Sequence, residues 1–468
     1  DMGPVIGATV TVQGTSIGAT TDLDGKFTLT SVPNVAKAVL IVRYVGMEEA
    51  KEPLKGRTSN INIHMKEAVG MLDDVVVIGY GTQKRGNLTG SIASVSGKIL
   101  EKVQTTSAAE AIVGKLPGVQ VTAVDGSPDA EIKILVRGGG SITQDNSPLI
   151  ILDGFEVSSL NDVPPTDIES IEVLKDAAST AIYGARGANG VILVTTKRPV
   201  EGRVVISLNT YVQTKELSNK LDVMDPYEFV LMQYENARQK SSNPTAFNNK
   251  YGHAYEHYIY QGNAGTDWQD EVFGSNPVAK YVDLSVNGGT EKTRYLASVN
   301  YMNQEGIVKN NGVSRFSARL NLDQELSEYV SFGLTATYSQ NKYDNVPLGD
   351  NANEYSGVLT GAIQSNPTIP IYDSEGNYFI DPKRPFVANP VSLLDIKDNT
   401  VKDRIIGSAF VSVKPLKDLE VKLQLGVDRS FQKRSSYLPK TTLQGKTKNG
   451  RADISQETST AYLMELTA

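Results

Sequence analysis

Val330-Ser331-Phe332-Gly333-Leu334-Thr335-Ala336-Thr337-Tyr338 alternates apolar with small or polar residues over nine positions. Successive side chains of a strand point to opposite faces, so this stretch has one greasy face and one polar face. The same pattern recurs on both sides of it. Val204, Ile206 and Leu208 alternate with Ser207 and Asn209, and Val282, Leu284 and Val286 with Asp283, Ser285 and Asn287. Tyr295, Ala297, Val299 and Tyr301 alternate with Arg294, Ser298 and Asn300, and Phe316, Ala318, Leu320 and Leu322 with Ser317, Arg319 and Asn321. Arg404–Val413 and Leu419–Val427 continue it, with Thr458–Leu466 as a weaker eighth member. Segments of about ten residues with this alternation match strands that cross a membrane as a barrel, and Tyr and Phe near their ends suit its interfacial girdles.

The connections between these strands run long, short, medium, short, long, short, medium. The long ones are 215–278 and 342–401; Asn287–Glu291, Gln324–Glu328 and Lys414–Asp418 are the tight ones. A membrane barrel has tight turns on one side and extended loops on the other, whereas a soluble sandwich has no reason to sort its loops by parity. Eight strands would make a barrel filled by its own side chains, while enclosing a folded domain takes about 22. The expectation is therefore that residues 199–468 form the first part of a larger barrel, the remaining strands lying beyond Ala468.

Composition narrows the rest. A formal charge of -7 offers no basic face for nucleic acid. The absence of cysteine excludes disulfides, thiol catalysis and Cys-type zinc sites. No apolar run approaches the roughly 18 residues of a membrane helix, and Asp1 opens directly into folded-looking sequence, as in a chain processed or cut at its start.

Residues 1–67 read as a small β-sandwich with strands at Val5–Gln13, Gly18–Thr21, Lys26–Thr30, Ala38–Tyr44 and Asn60–Met65. Asp22-Leu23-Asp24-Gly25 opens like a calcium loop but lacks the later ligands; Asp-Gly between strands is better read as a hairpin turn. Residues 68–85 form a linker carrying Asp74-Val75-Val76-Val77-Ile78-Gly79. Its β-branched run favours a short extended strand with no evident partner in its own domain. Such a strand can lend its edge to another protein's sheet.

Residues 86–198 mix short helices and strands. A helix is expected over Ser107–Lys115, capped by Thr106 or Ser107. Strands are expected at Val119–Val124, Ile132–Val136, Leu149–Leu152, Ile168–Leu174 and Val191–Thr196. Arg137-Gly138-Gly139-Gly140 has no Gly-Lys-Ser/Thr ending and reads as a turn, not a phosphate loop. Asp153, Glu169, Glu172, Lys175, Asp176 and Arg186 stand among apolar residues, where charges must be paired, either inside a water-filled lumen or as surface ion pairs.

The blocks Leu116-Pro117-Gly118-Val119, Arg137-Gly138, Asp153-Gly154, Asp167–Asp176 with Glu169, Glu172 and Lys175, and Tyr183-Gly184-Ala185-Arg186-Gly187-Ala188-Asn189-Gly190 resemble, in order, the plug of SusC-like TonB-dependent outer-membrane transporters. Gly7–Val10, Gly14-Thr15, Thr21–Phe27 and Tyr44-Val45-Gly46 resemble a carboxypeptidase regulatory-like domain whose first strand is missing. Asn366–Pro370, Ala388–Val391, Thr266-Asp267-Trp268 and Gln304-Glu305-Gly306 match loop motifs of the same transporters.

The resemblance implies an outer-membrane importer without cofactor or catalysis, with residues 1–85 in the periplasm. Residues 74–79 would be the TonB box, pulled by TonB and its inner-membrane energising complex. A SusD-like surface lipoprotein would act as a lid over an oligosaccharide, or alternatively a peptide. A receptor that also signals is another alternative and would need a further domain before Asp1. A zinc peptidase is the non-transport alternative, because His253-Ala254-Tyr255-Glu256-His257 matches the H-x-x-E-H string.

Overall fold

The computed structural model describes residues 5–468 except 6, 14, 16, 23, 45–49, 66–74, 79–80, 85–91, 104, 106, 124–125, 129, 131, 158, 162, 241–244, 275, 350–356, 383 and 417–418. The chain divides into two compact units, Asp1–Thr89 and Gly90–Ala468.

In the first unit β1 (Thr9–Val12), β2 (Gly18–Thr20), β3 (Val39–Arg43) and β4 (Ala50–Pro53) form one antiparallel sheet in the order β2-β1-β3-β4. Val10, Val12, Leu40 and Val42 supply its buried core, joined by Phe27, Leu29, Ile61 and Ile63. The expected strands Lys26–Thr30 and Asn60–Met65 pack their apolar alternates on this core, and among the described residues they join no ladder. Ala50-Lys51-Glu52-Pro53 was not foreseen as a strand because charge and proline mask it, and both suit an edge. Asp22 makes a turn: its carboxylate accepts from the Asp24 and Lys26 amides at 3.0 and 2.8 Å.

Val75–Ile78 is a strand, β5, but it is not alone. It pairs antiparallel with β6 (Gly81–Lys84), Val75 opposite Lys84 and Ile78 opposite Gly81. A two-residue connection is the shortest that reverses a chain between antiparallel strands, and it corrects the expectation of a partnerless strand. Asp74 and Gly79, the ends of the expected TonB box, lie outside the described residues.

The second unit begins with β7 (Ile92–Ser96), followed by β8 (Val119–Ala123), β9 (Ile132–Val136), β10 (Leu149–Leu152), β11 (Phe155–Val157), β12 (Ile168–Leu174) and β13 (Val191–Thr196). Five of these make a sheet ordered β11-β10-β13-β12-β7, with only β10 and β13 parallel, and β8 and β9 form a separate hairpin. Leu100, Ile112, Leu160, Ile168, Ile171 and Ile192 are fully buried between sheet and helices. The expected helix over Ser107–Lys115 stops at Ala111; Ser107 Oγ caps it by accepting from the Glu110 amide at 3.2 Å. Gly190, at φ +93, lets β13 start against β9, since a Cβ there would lie 3.0 Å from Val136 side-chain atoms.

Eight further strands form one sheet in sequence order: β14 (Gly202–Thr214), β15 (Val278–Gly289), β16 (Thr293–Glu305), β17 (Gly312–Glu325), β18 (Val330–Asn345), β19 (Lys397–Leu416), β20 (Leu419–Leu438) and β21 (Arg451–Thr467). Every neighbour pair is antiparallel, and β14 and β21 are the two edges. The connections keep the expected parity: 290–292, 326–329 and 417–418 are tight, 215–277 and 346–396 are long. Burial sorts the two faces. Leu284 and Leu320 on the apolar face are 44% and 43% exposed, while Asn300 and Arg319 on the polar face are 1% and 6% exposed. On the central strands the polar face lies against the plug, and among the described residues the apolar face is left exposed, which is the polarity of a wall bathed in lipid. No helix among the described residues is long and apolar enough to cross a membrane.

Candidate functional site at the plug–wall seam

The alternation that turns Phe316 and Leu320 outward also points Arg315 and Arg319 of β17 inward, where both are buried. Each finds plug oxygen. Arg315 Nη1 donates to the Asn161 carbonyl at 3.0 Å. Arg319 Nη2 donates to Asp153 Oδ2 at 2.9 Å and to the Thr196 hydroxyl. Farther along β17 Asn321 Nδ2 donates to the Lys197 carbonyl at 2.9 Å, and on the neighbouring β16 Ser298 Oγ donates to Asp167 Oδ1 at 3.0 Å. Thr166 Oγ1 lies 2.9 Å from the Tyr281 hydroxyl and donates to Asp283 Oδ2 at 3.3 Å. Apolar contact with the wall is sparser. Ile406 touches the plug core, and Phe155 rests on Gly426, where a Cβ would come within 1.7 Å of the ring.

Asp153 is the hub. It sits at φ +49 in the tight turn between β10 and β11, beside Gly154 at φ +92. Its carboxylate accepts from the Thr196 amide at 3.0 Å and from the Thr196 hydroxyl at 2.5 Å, with Arg198 Nη2 at 3.9 Å. Burial works against its charge, but Arg319, Arg198 and the two Thr196 bonds outweigh burial and hold the carboxyl below the usual carboxylate range.

The other plug motif residues serve the plug itself. Arg137 (φ +59) and Gly138 (φ +90) form the turn after β9. Glu169 is exposed; Glu172 is buried and accepts from Ser170 Oγ at 3.4 Å. Lys175 Nζ donates to the Pro117 carbonyl at 2.8 Å, and Asp176 caps the helix Ala177–Thr180 by accepting from the Ser179 amide. Tyr183 packs against Leu149, Leu174, Val191 and Leu193. Gly184 has a positive φ, and Gly187 packs closely on Thr180. Arg186 pairs with Glu156 on the plug surface at 2.5 Å, and Asn189 Nδ2 donates to the Asp145 carbonyl at 3.1 Å. The wall residues Arg315, Arg319, Ser298 and Asn321 were not singled out beforehand. Their inward parity was visible, but nothing local names the plug atom each one meets.

Toward the long-loop end of the strands, plug and wall line an open cavity of about 430 Å³ that includes Glu110, Gln304, Arg315, Asn341, Tyr343 and Asn345. Among the described residues the buried Gln304 Oε1 meets no hydrogen-bond donor. Above it the two long loops pack together around Trp268, Val272, Val358 and Leu393. Trp268 Nε1 donates to the Asn366 carbonyl at 3.0 Å, and the Thr266 amide to the Pro367 carbonyl at 2.9 Å. The helix Pro226–Lys240 in the first loop is closed by reciprocal bonds between Asp225 and Glu228.

The H-x-x-E-H string falls on a 3-10 helix, Ala254–Tyr260. His257 is buried edge-on against Tyr234 and Phe247, His253 stacks on Tyr255, and Glu256 accepts from the His253 amide at 2.6 Å. The string is thus used in packing and capping. Among the described residues no three His, Asp or Glu side chains converge on a point that could hold a metal.

Comparison with known proteins agrees with this architecture. Residues 84–191 match the family model of the TonB-dependent receptor plug domain, and residues 1–77 that of the CarboxypepD_reg-like domain. TonB-dependent receptor P3 of Formosa agariphila is 32% identical over 98% of this chain and 44% of its own length. TonB-dependent receptor SusC of Bacteroides thetaiotaomicron is 34% identical over 80% of this chain and 36% of its own. The RagAB peptide importer in its open-open state superposes with a TM-score of 0.67 at 26% identity, covering 78% of this chain and 43% of that one. The chain thus spans about two-fifths of the length of the curated relatives it matches. With a matching plug held on the polar inner face of an antiparallel membrane sheet, the chain belongs to the SusC-like TonB-dependent receptors, β-barrel proteins of the outer membrane.

Proposed function

We propose that the protein imports an oligomeric nutrient across the outer membrane. Ligand enters from the long-loop side and a SusD-like lipoprotein closes over it. TonB then grips residues 74–79 from the periplasm and pulls, driven by the inner-membrane proton-motive force. Residues 1–67, 68–85, 86–198 and 199–468 act as regulatory-like domain, TonB-box linker, plug and barrel wall.

The observation that carries this reading is the chemistry of the seam. Arg319–Asp153, Arg315–Asn161, Asn321–Lys197 and Ser298–Asp167 are polar contacts, which water can replace one by one as the plug moves. A seam of interlocked leucines would have to expose apolar surface all at once. No bond of the ligand is made or broken, so no catalysis is assigned.

Oligosaccharides are the first choice of ligand and oligopeptides the second; the amide side chains of Gln304, Asn341 and Asn345 suit hydroxyls and peptide groups alike. The test is uptake by cells carrying the full-length protein with residues 74–79 deleted. Uptake of the cognate oligomer should fall to the level of cells lacking the receptor; undiminished uptake would remove the reading.

A further inference from the structure

The hairpin of β5 and β6 adds a mechanical element to the pull. We infer that β6 is stored slack: under TonB load the hairpin unzips first and lengthens the link to the plug before the plug itself bears tension. This rests on the reading that TonB holds residues 74–79.

The register supplies the mechanics. Val75 faces Lys84, Val76 faces Gln83, Val77 faces Thr82 and Ile78 faces Gly81. The chain leaves the hairpin at Lys84, beside the first residue of β5, and runs on to the plug strand β7 at Ile92. A strand has two edges, and β6 occupies one edge of β5; no named strand pairs with the other among the described residues. TonB can therefore add its own strand to the open edge with β6 in place.

The two pairings then meet the load differently. A partner strand dragged lengthwise along β5 shares the force among several hydrogen bonds at once. The β5–β6 ladder is loaded only at its open end, so the Val75–Lys84 pair parts first and the rest follow singly, ending with Ile78–Gly81. An isolated two-stranded hairpin is marginally stable. It therefore yields while the grip of TonB holds. Lys84 stands level with Val75 in the hairpin and nine residues beyond it once the chain is extended, a gain of about 30 Å. Over that distance TonB advances without disturbing Asp153, Arg319 or the rest of the seam, so a brief or misdirected tug leaves the plug seated.

The experiment closes the hairpin covalently in the full-length receptor with Val76→Cys and Gln83→Cys. Directly opposed residues of an antiparallel pair have Cα atoms about 4.5–5.5 Å apart, within disulfide reach. The receptor, in lipid nanodiscs, is pulled by a TonB C-terminal domain fixed to a force probe. The wild type should show an early low-force extension of about 30 Å before the plug event. Oxidised, the variant should lose that step while attaching to TonB as often as its own reduced form does, and reduction should bring the step back. If the wild type lacks the step, or the oxidised form no longer attaches, the inference is overturned. In the second case TonB would need the edge that β6 covers. Attachment that survives deletion of 74–79 would instead remove the parent reading, which separates the two failures.

Discussion

Separating Asp153 from Arg319 should loosen the plug by a calculable amount. The pair bridges plug and wall at 2.9 Å, with side-chain exposures of 11% and 4%, so solvent screens it little. Asp153→Asn leaves the Arg319 guanidinium buried without its counter-charge, and losing one member of a buried pair costs about 3–5 kcal/mol. Asn tolerates the positive φ of this turn, so backbone strain adds little. Arg319→Met is milder, about 2 kcal/mol, because Thr196 still donates twice to the carboxylate and Arg198 stands 3.9 Å away. The double variant removes both charges and should cost about 2 kcal/mol less than the two single changes summed. The assay is plug release at constant force in the full-length receptor, pulled from a handle ahead of the plug. If the pair persists up to the release barrier, a coupling of 2 kcal/mol makes release of the double variant about 30-fold slower than additivity predicts. Additive effects would refute the idea that these two groups hold the plug through each other.

Three further outcomes follow from the same geometry. The folded-state value of the Asp153 carboxyl lies below its unfolded one, so its stabilisation is complete above the unfolded value and is lost as pH falls through the folded value; plug release should quicken below about pH 4, and this acid-side change should be absent from Asp153→Asn. Gly426→Val places side-chain carbons where Phe155 rests, and should weaken plug retention by about 1–3 kcal/mol, with Phe155→Ala in the same chain restoring most of it in the release assay. Trp268→Phe removes the shorter of two bonds to the Asn366 carbonyl, leaving the Ile369 amide at 3.5 Å, at a cost of about 1 kcal/mol, and should speed limited proteolysis of the 346–396 loop while leaving the barrel's heat resistance unchanged.

Much of this architecture was legible because a sheet with lipid on one face writes its orientation into every second residue. Phe316 and Leu320 against Arg315 and Arg319 state which side of β17 is which, and the loop-length parity states which end is which. The partners of the inward residues were not legible. Arg319 and Asp153 are 166 positions apart, and no local pattern encodes which turn of a plug will reach which strand of a wall. The short edges were also hidden. Ala50–Pro53 is charged and ends in proline, and Gly81–Lys84 lacks apolar residues, so strand propensity could not flag either one although backbone pairing recruits both. His257 shows the opposite failure: its string suggests chemistry, but the aromatic rings of Tyr234 and Phe247 use it as packing.

The most direct test is which side of the strands lipid touches. Single spin labels at Leu284, Val299 and Leu320, and at Ser285, Ser298 and Ser317, in the full-length receptor reconstituted in bilayers, would report collisions with oxygen dissolved in lipid and with a water-soluble nickel complex. The first set should collide mainly with oxygen, and the second should be shielded from it, gaining nickel access when residues 86–198 are removed. Oxygen collisions on the Ser set, with the Leu and Val set buried against protein, would contradict the placement of plug, wall and membrane on which everything above depends.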